Sequence, residues 1–260
     1  MRILFIGDVV GGAGRRGLTR TMPALRENLR PDLVVVNGEN AAGGMGITAK
    51  TAGQIFAAGA DVITTGNHVY RHREVYPYLD ETERIVRPAN YPHANPGRGH
   101  IVFEHQGTRV AVINLSGAIG LEVARSPFFE VDSLLDRLAG EADLVLVDFH
   151  AEVTSEKVAM GWHLDGRVAA VCGTHTHVPT ADARVLPGGT AYISDLGMTG
   201  SRDGVLGVRR EIILEKFLTQ MPARFETATE DVWVMGVLVE TGPDGLASSI
   251  EQVMRPAEPE

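Results

Sequence analysis

Five times between Ile3 and His177, a short β-branched apolar run ends in residues that carry an oxygen or nitrogen donor. ILFIG precedes Asp8, LVVVN precedes Glu39 and Asn40, DVITT precedes Asn67 and His68, LVLVD leads to His150, and VAAVC leads to His175 and His177. Runs this short and this continuously apolar suit strands covered on both faces, because a half-exposed strand would alternate with polar residues. The segments 15–29, 48–58, 131–138 and 155–164 have the apolar spacing and stop residues of helices. Such alternation predicts an α/β domain with its sheet flanked by helices.

Two further pairs of segments read as hairpins. HIVFEH and RVAVINL flank Gln106-Gly107-Thr108, and VWVMGVLVE and LASSIEQVM flank Thr241-Gly242-Pro243-Asp244-Gly245. Turn residues between β-rich runs predict antiparallel strands, hence a second, mixed sheet. The Pro- and Gly-rich stretch at 88–99 is expected to be a long loop, since strands resume on both sides of it. At 260 residues and 44% hydrophobic, the chain can bury a full core, and residues 1–260 are expected to form a single domain. Only the short acidic tail PAEPE is compositionally biased.

Charge and cysteine usage narrow the setting. The net charge of −9 is spread along the chain, which argues against binding duplex nucleic acid but permits a small anionic substrate if cations reverse the local field. The one cysteine, Cys172, falls in an apolar run and reads as a small core residue of a protein from a reducing compartment. Asp8 interrupts the first apolar run and no cleavage motif follows, so no signal peptide is expected. No stretch reaches the ~20 apolar residues of a membrane span. A cytoplasmic protein is expected, and a homo-oligomer is compatible with the sequence.

In an open α/β sheet, the crevice beyond the carboxyl ends of the strands is where ligands bind. Asp8, Glu39, Asn40, Asn67, His150, His175 and His177 would converge there. Each alone has a plain explanation as a turn, cap or surface residue. The conjunction at five strand ends points instead to a metal site. Carboxylate, amide and imidazole donors without thiolate suit iron, manganese, zinc or magnesium, and the imidazole share favours transition metals. Seven donors exceed the needs of one four-coordinate ion. Two ions about 3.5–4 Å apart would use them all, holding a bridging hydroxide and clamping a phosphate.

The blocks GDVVGG, NGEN, TGNHVY, DFHAE and GTHTH, in that order, resemble those of the calcineurin-like metallophosphoesterases. Val10 stands where that family has a histidine, Glu39-Asn40 replaces its second acidic block, and Thr174 precedes His175. With GTHTHVPTAD and SDLGMTGS, these departures are similar to the bacterial YmdB-like branch, which hydrolyses 2′,3′-cyclic nucleotides. The resemblance implies an αββα sandwich with two central mixed sheets flanked by helices. It also implies iron, with one ion on Asp8, Glu39, Asn40 and His177 and the other on Glu39, Asn67, His150 and His175. Glu39 would bridge, and Asn40 would replace the missing histidine. Manganese and zinc stay open on the donor set alone.

His68 adjoins Asn67 but is not needed in either set. An imidazole is suited to protonating a departing alkoxide, so His68 is expected to be the general acid of phosphodiester hydrolysis, with a hydrogen-bonding role near the ligands as its plain alternative. Arg71, His72 and Arg73 are left without a role. His93, His100, His105 and His163 are expected to be structural, and Trp162 and Trp233 to be packing residues. The expected partner is a small phosphodiester or nucleotide. Competing readings are a phosphomonoesterase on the same site and a metal-containing regulatory protein. A third is a dinucleotide-binding module, since residues 12–17 fit G-x-G-x-x-G.

Overall fold

The computed structural model describes residues 1–121 and 125–257. The end of the PAEPE tail lies outside the described residues. Strands β1 (Arg2–Ile6), β2 (Asp8–Val9), β3 (Leu33–Asn37), β4 (Val62–Thr64), β5 (Ile85–Val86), β6 (His100–His105) and β7 (Thr108–Ser116) come first. They are followed by β8 (Leu144–His150), β9 (Ala170–Thr174), β10 (Arg184–Val185), β11 (Ala191–Ile193), β12 (Met198–Ser201), β13 (Val232–Thr241) and β14 (Ala247–Pro256). The helices are α1 (Gly11–Leu29), α2 (Ala49–Ala57), α3 (Tyr76–Glu81), α4 (Pro127–Leu138), α5 (Thr154–Leu164) and α6 (Arg210–Thr219).

Each of the five apolar runs contributes a strand. They divide between two mixed sheets, ordered β2-β12-β13-β1-β3-β4-β5, with β14 also paired to β13, and β10-β11-β9-β8-β7-β6. Within the first sheet β1, β3, β4 and β5 run parallel, with β13 antiparallel to β1. Within the second, β7, β8, β9 and β11 run parallel between the antiparallel edge strands β6 and β10. Both expected hairpins form, as β6–β7 and β13–β14.

The strands lack alternation because both of their faces are covered. Ile3, Phe5, Leu33 and Val35 pack against Val112, Leu146 and Cys172 between the sheets. Leu4, Ile6, Val34 and Val36 turn outward onto Leu18 and Met22 of α1 and Ile55 of α2. Ile113, Val147 and Phe149 cover the opposite flank with Val131 and Leu134 of α4 and Met160 and Leu164 of α5. Each such side chain taken out of water stabilises the fold by about 1.5–3 kcal/mol before chain ordering is counted. The result is the αββα sandwich with two central mixed sheets.

Helix α1 starts at Gly11, four residues before the sequence-based boundary. Its glycines read as a loop by propensity, yet tertiary packing overrides that preference. A Cβ on Gly14 would collide with the Thr199 carbonyl of β12, and one on Gly17 with the Val232 side chain of β13. Residues 12–17 therefore lie inside a helix seated on strands, not in a phosphate-binding turn before one, which removes the structural basis of the dinucleotide reading. The short strands β5, β10, β11 and β12 and the helices α3 and α6 were not anticipated; α6 buries only Ile213. Trp162 is half exposed with the Arg184 guanidinium over its ring, a correction to its expected packing role.

Candidate metal centre

Asp8 opens β2 just beyond the end of β1, Glu39 and Asn40 follow β3, and Asn67 and His68 follow β4, all at the carboxyl ends of parallel strands in one sheet. His150 ends β8, and His175 and His177 follow β9 in the other sheet. The two sheets thus present their donors along a shared rim. Asp8, Glu39 and His150 are fully buried, and Asn40 nearly so.

Three donors crowd the Nε2 atom of His150. Asn67 Oδ1 lies 3.0 Å from it, His175 Nδ1 3.1 Å and Glu39 Oε2 3.2 Å. A cation ~2.1 Å from several ligands set at right angles, as in octahedral coordination, leaves neighbouring ligand atoms about 3 Å apart, which is close to the spacing found. Gly66 makes room for this cluster, since a Cβ there would collide with Glu39 Oε2 and His150 Nε2. Glu39, His150 and His175 bring donor atoms within 4.8 Å of one another, a group that could hold a metal ion.

A second convergence shares Glu39. Asn40 Nδ2 is 2.8 Å from Glu39 Oε1 and 3.1 Å from His177 Nε2, and Asp8 Oδ1 is 4.0 Å from His177 Nε2. Asp8 Oδ2 accepts the His175 N–H at 3.1 Å, but Oδ1 is buried without a hydrogen-bond partner. A buried carboxylate oxygen left unpaired is costly, and a cation at this point would satisfy it. The ring of His68 joins the same cluster, with Nδ1 3.1 Å from Glu39 Oε1 and 2.9 Å from Asn40 Oδ1. Arg71 and Arg73 are exposed, and His72 Nε2 lies 3.0 Å from the Met45 carbonyl.

Each histidine has its outward nitrogen occupied, which fixes the ring and the nitrogen it presents. His175 Nε2 lies 2.9 Å from Glu152 Oε2, and His177 Nδ1 3.0 Å from the Leu206 carbonyl. His150 Nδ1 is 2.9 Å from Thr174 Oγ1, which donates to Asp148 Oδ1 at 2.6 Å. Asp148 Oδ2 accepts from Asn37 Nδ2, and Asn37 Oδ1 accepts the Glu39 N–H. Sequence reasoning missed Glu152, Thr174, Asp148 and Asn37 as supports, although Asp148 and Glu152 stand two residues either side of His150. The backbone is strained at His175 (φ 101°) and His177 (φ 66°), a left-handed conformation costing on the order of 1–3 kcal/mol per non-glycine residue. The remaining histidines lie elsewhere, His105 on the Asp32 carbonyl and His163 on Asp132.

Burial and mutual charge shift these groups apart. Burial alone would raise Glu39, yet the His150 charge and the hydrogen bonds from His150 and His68 hold it well below the usual carboxylate range. Burial raises Asp8 despite the His177 and His150 charges. Burial would lower His150, but Glu39 and then Asp8 hold it up to about 9. Burial and the neighbouring His150 push His175 down to about 3. Burial also raises Asp148 to about 6. Such separation among contacting groups marks a site built for charge.

The layered fold and this buried donor cluster define a phosphoesterase of the metallophosphoesterase fold. A family model described as YmdB-like protein matches residues 4–253, and the chain belongs to that family. It is 47% identical over 240 residues to the 2′,3′-cyclic-nucleotide 2′-phosphodiesterase of Bacillus subtilis (strain 168), covering 92% of this chain and 91% of that protein. A hypothetical protein from Thermus thermophilus has a similar structure, with a TM-score of 0.94 at 41% identity over 99% of this chain and 100% of that one. A novel phosphatase from Mycoplasma pneumoniae gives a TM-score of 0.93 at 34% identity over 98% and 93% of the two chains.

Proposed function

We propose that this chain is a dinuclear-metal phosphodiesterase acting on small phosphodiesters, with 2′,3′-cyclic nucleotides as its substrate class. The observation that carries this reading is the convergence of Glu39, Asn67 and His175 about His150 Nε2, with the unpaired Asp8 Oδ1 beside them. One ion is assigned to Asp8, Glu39, Asn40 and His177, the other to Glu39, Asn67, His150 and His175, with Glu39 shared. Iron is the assigned metal, and the donor set also accepts manganese or zinc. When bound, two such ions clamp phosphate oxygens and lower the pKa of a water that serves as nucleophile.

The chain's own groups do the rest. The outward hydrogen bonds of His150, His175 and His177 hold three imidazoles in place, so little reorganisation is needed as charge builds on phosphate. His68 is anchored at Nδ1 by Glu39 and Asn40, which leaves Nε2 to carry a proton toward substrate. The attacking water gives up a proton to solvent; as its oxygen bonds to phosphorus, the P–O2′ bond breaks and the His68 Nε2 proton passes to the ribose 2′ oxygen, after which solvent reprotonates Nε2. That regiochemistry follows the name of the Bacillus subtilis relative. The anchoring contacts also favour a second role for His68, holding Glu39 and Asn40 in position.

A cyclic nucleotide carries a single negative charge and can enter a metal crevice without an extended basic groove, in keeping with the −9 charge of the chain. We assign residues 1–260 to one domain on the support of shared cores between the sheets, and the cytoplasm as its compartment on its single buried cysteine, Cys172. Among the described residues no helix is long and apolar enough to cross a membrane. The test compares hydrolysis of 2′,3′-cyclic, 3′,5′-cyclic and 5′-mononucleotides at equal metal loading. The 2′,3′-cyclic compounds are expected to react fastest and to yield 3′-nucleotides. A clear preference for 5′-monoesters would make the chain a phosphomonoesterase instead.

A further inference from the structure

Thr176 stands between the two histidines of the rim turn, and its attachment does not involve the metal donors. Its backbone N–H and its hydroxyl both donate to Asp195 Oδ2, at 3.0 and 2.8 Å. The same oxygen accepts from Lys157 Nζ at 2.7 Å, and Oδ1 accepts the Gly197 N–H at 2.9 Å. Asp195 is itself fixed, since its N–H donates to Thr180 Oγ1 and its carbonyl accepts the Thr180 N–H. Gly173 permits this approach, because a Cβ there would collide with the Ser194 carbonyl. Lys157 is 2% exposed and Asp195 1%.

Burying an ion pair rarely stabilises a fold over apolar residues of the same shape, so the position of this one calls for another explanation. The pair lies under the segment that is backbone-strained at His175 and His177. Strained residues persist only where their surroundings over-determine them. Every partner of the Asp195 carboxylate is a donor, so an amide in its place would set an NH₂ against a donor whichever way it turned.

We propose that the Lys157–Asp195 pair is a positioning device that holds Thr176 and thereby sets His175 and His177 for both metal ions at once. The device rests on the dinuclear assignment above. His175 faces the Asn67 side of the cluster and His177 the Asp8 side, so one clamp between them governs both.

The test titrates Mn²⁺ into chelator-stripped protein by calorimetry for the wild type and for Asp195→Asn, Thr176→Val and Thr176→Ser, with thermal melting of each stripped protein alongside. Removing partners of this kind typically lowers metal affinity by about 10- to 100-fold. Asp195→Asn and Thr176→Val are expected to lose affinity to that extent for both ions, and Thr176→Ser, which keeps the hydroxyl, to restore it. If Asp195→Asn does not fold, the Thr176 pair decides. Wild-type titration by Thr176→Val would overturn the proposal, as would a Thr176→Ser variant no better than Thr176→Val. A wild type that binds two ions with unaltered variants defeats the clamp alone, whereas a wild type that binds none defeats the dinuclear assignment and the clamp with it.

Discussion

His150 Nε2 lies 3.1 Å from His175 Nδ1, with the two rings edge to face and their centroids 4.8 Å apart. Two imidazole nitrogens at that distance share one proton or one cation. In the metal-free protein the proton belongs to His150, held up to about 9, while His175 is pushed down to about 3.

Metal uptake must therefore displace the His150 proton. Because the ligand form is neutral, apparent affinity should rise about tenfold per pH unit below pH ~9 and level off above it. The same proton bears on stability. A histidine whose folded pKa lies above its ordinary 6.5 stabilises the fold below that value and loses this contribution as pH rises through about 9. Melting of the chelator-stripped protein should fall from pH 6.5 to 9 more steeply than that of the loaded protein. Parallel curves, or affinity independent of pH, would count against His150 as the protonated group.

Glu39 is shared by both convergences and Asn67 belongs to one. Elemental analysis of Glu39→Ala should find both ions lost, whereas Asn67→Ala should retain the ion assigned to Asp8, Asn40 and His177. Equal losses in the two variants would break the proposed division of ligands.

The main features of the site were legible because strand ends are where α/β folds place ligands, and the donor residues sit immediately after the apolar runs. All seven named donors and His68 meet at the rim. What the sequence concealed was mostly held at long range. Leu206 reaches His177 through a backbone carbonyl, which carries no residue signature. Asp148 looked like the end of an apolar strand, yet it ties Thr174 to Asn37 beneath the donors. The start of α1 was misplaced because Gly11, Gly12 and Gly14 are poor helix formers, and it is the fit of Gly14 against β12 that holds this first part of the helix there. Strands β5 and β10, two residues each, have no periodicity to read.

Gly66→Ala tests how tightly the cluster is built. The added methyl would fall on Glu39 Oε2 and His150 Nε2 and push them apart. Overpacking of this kind typically costs about 1–3 kcal/mol. Stripped Gly66→Ala should melt lower than wild type and lose the ion assigned to Asn67, His150 and His175 before the other. Full two-ion loading at wild-type affinity would mean that the donors can move aside freely.

His68→Ala separates proton delivery from positioning. The variant is expected to keep the fold, since the ring it removes is partly exposed at the rim. If Nε2 protonates the departing 2′ oxygen, removing it should slow hydrolysis of a 2′,3′-cyclic nucleotide by about 10²- to 10⁴-fold. A nitrophenyl ester departs without needing a proton, so its hydrolysis should slow far less. The metal content measured on the same samples distinguishes the second role. His68 Nδ1 contacts Glu39 and Asn40, so a purely positioning residue would on removal lower metal affinity and slow both substrates alike. Full metal loading with a rate loss confined to the poor leaving group identifies the general acid. Equal slowing with lost metal assigns His68 to the support of Glu39 and Asn40 instead.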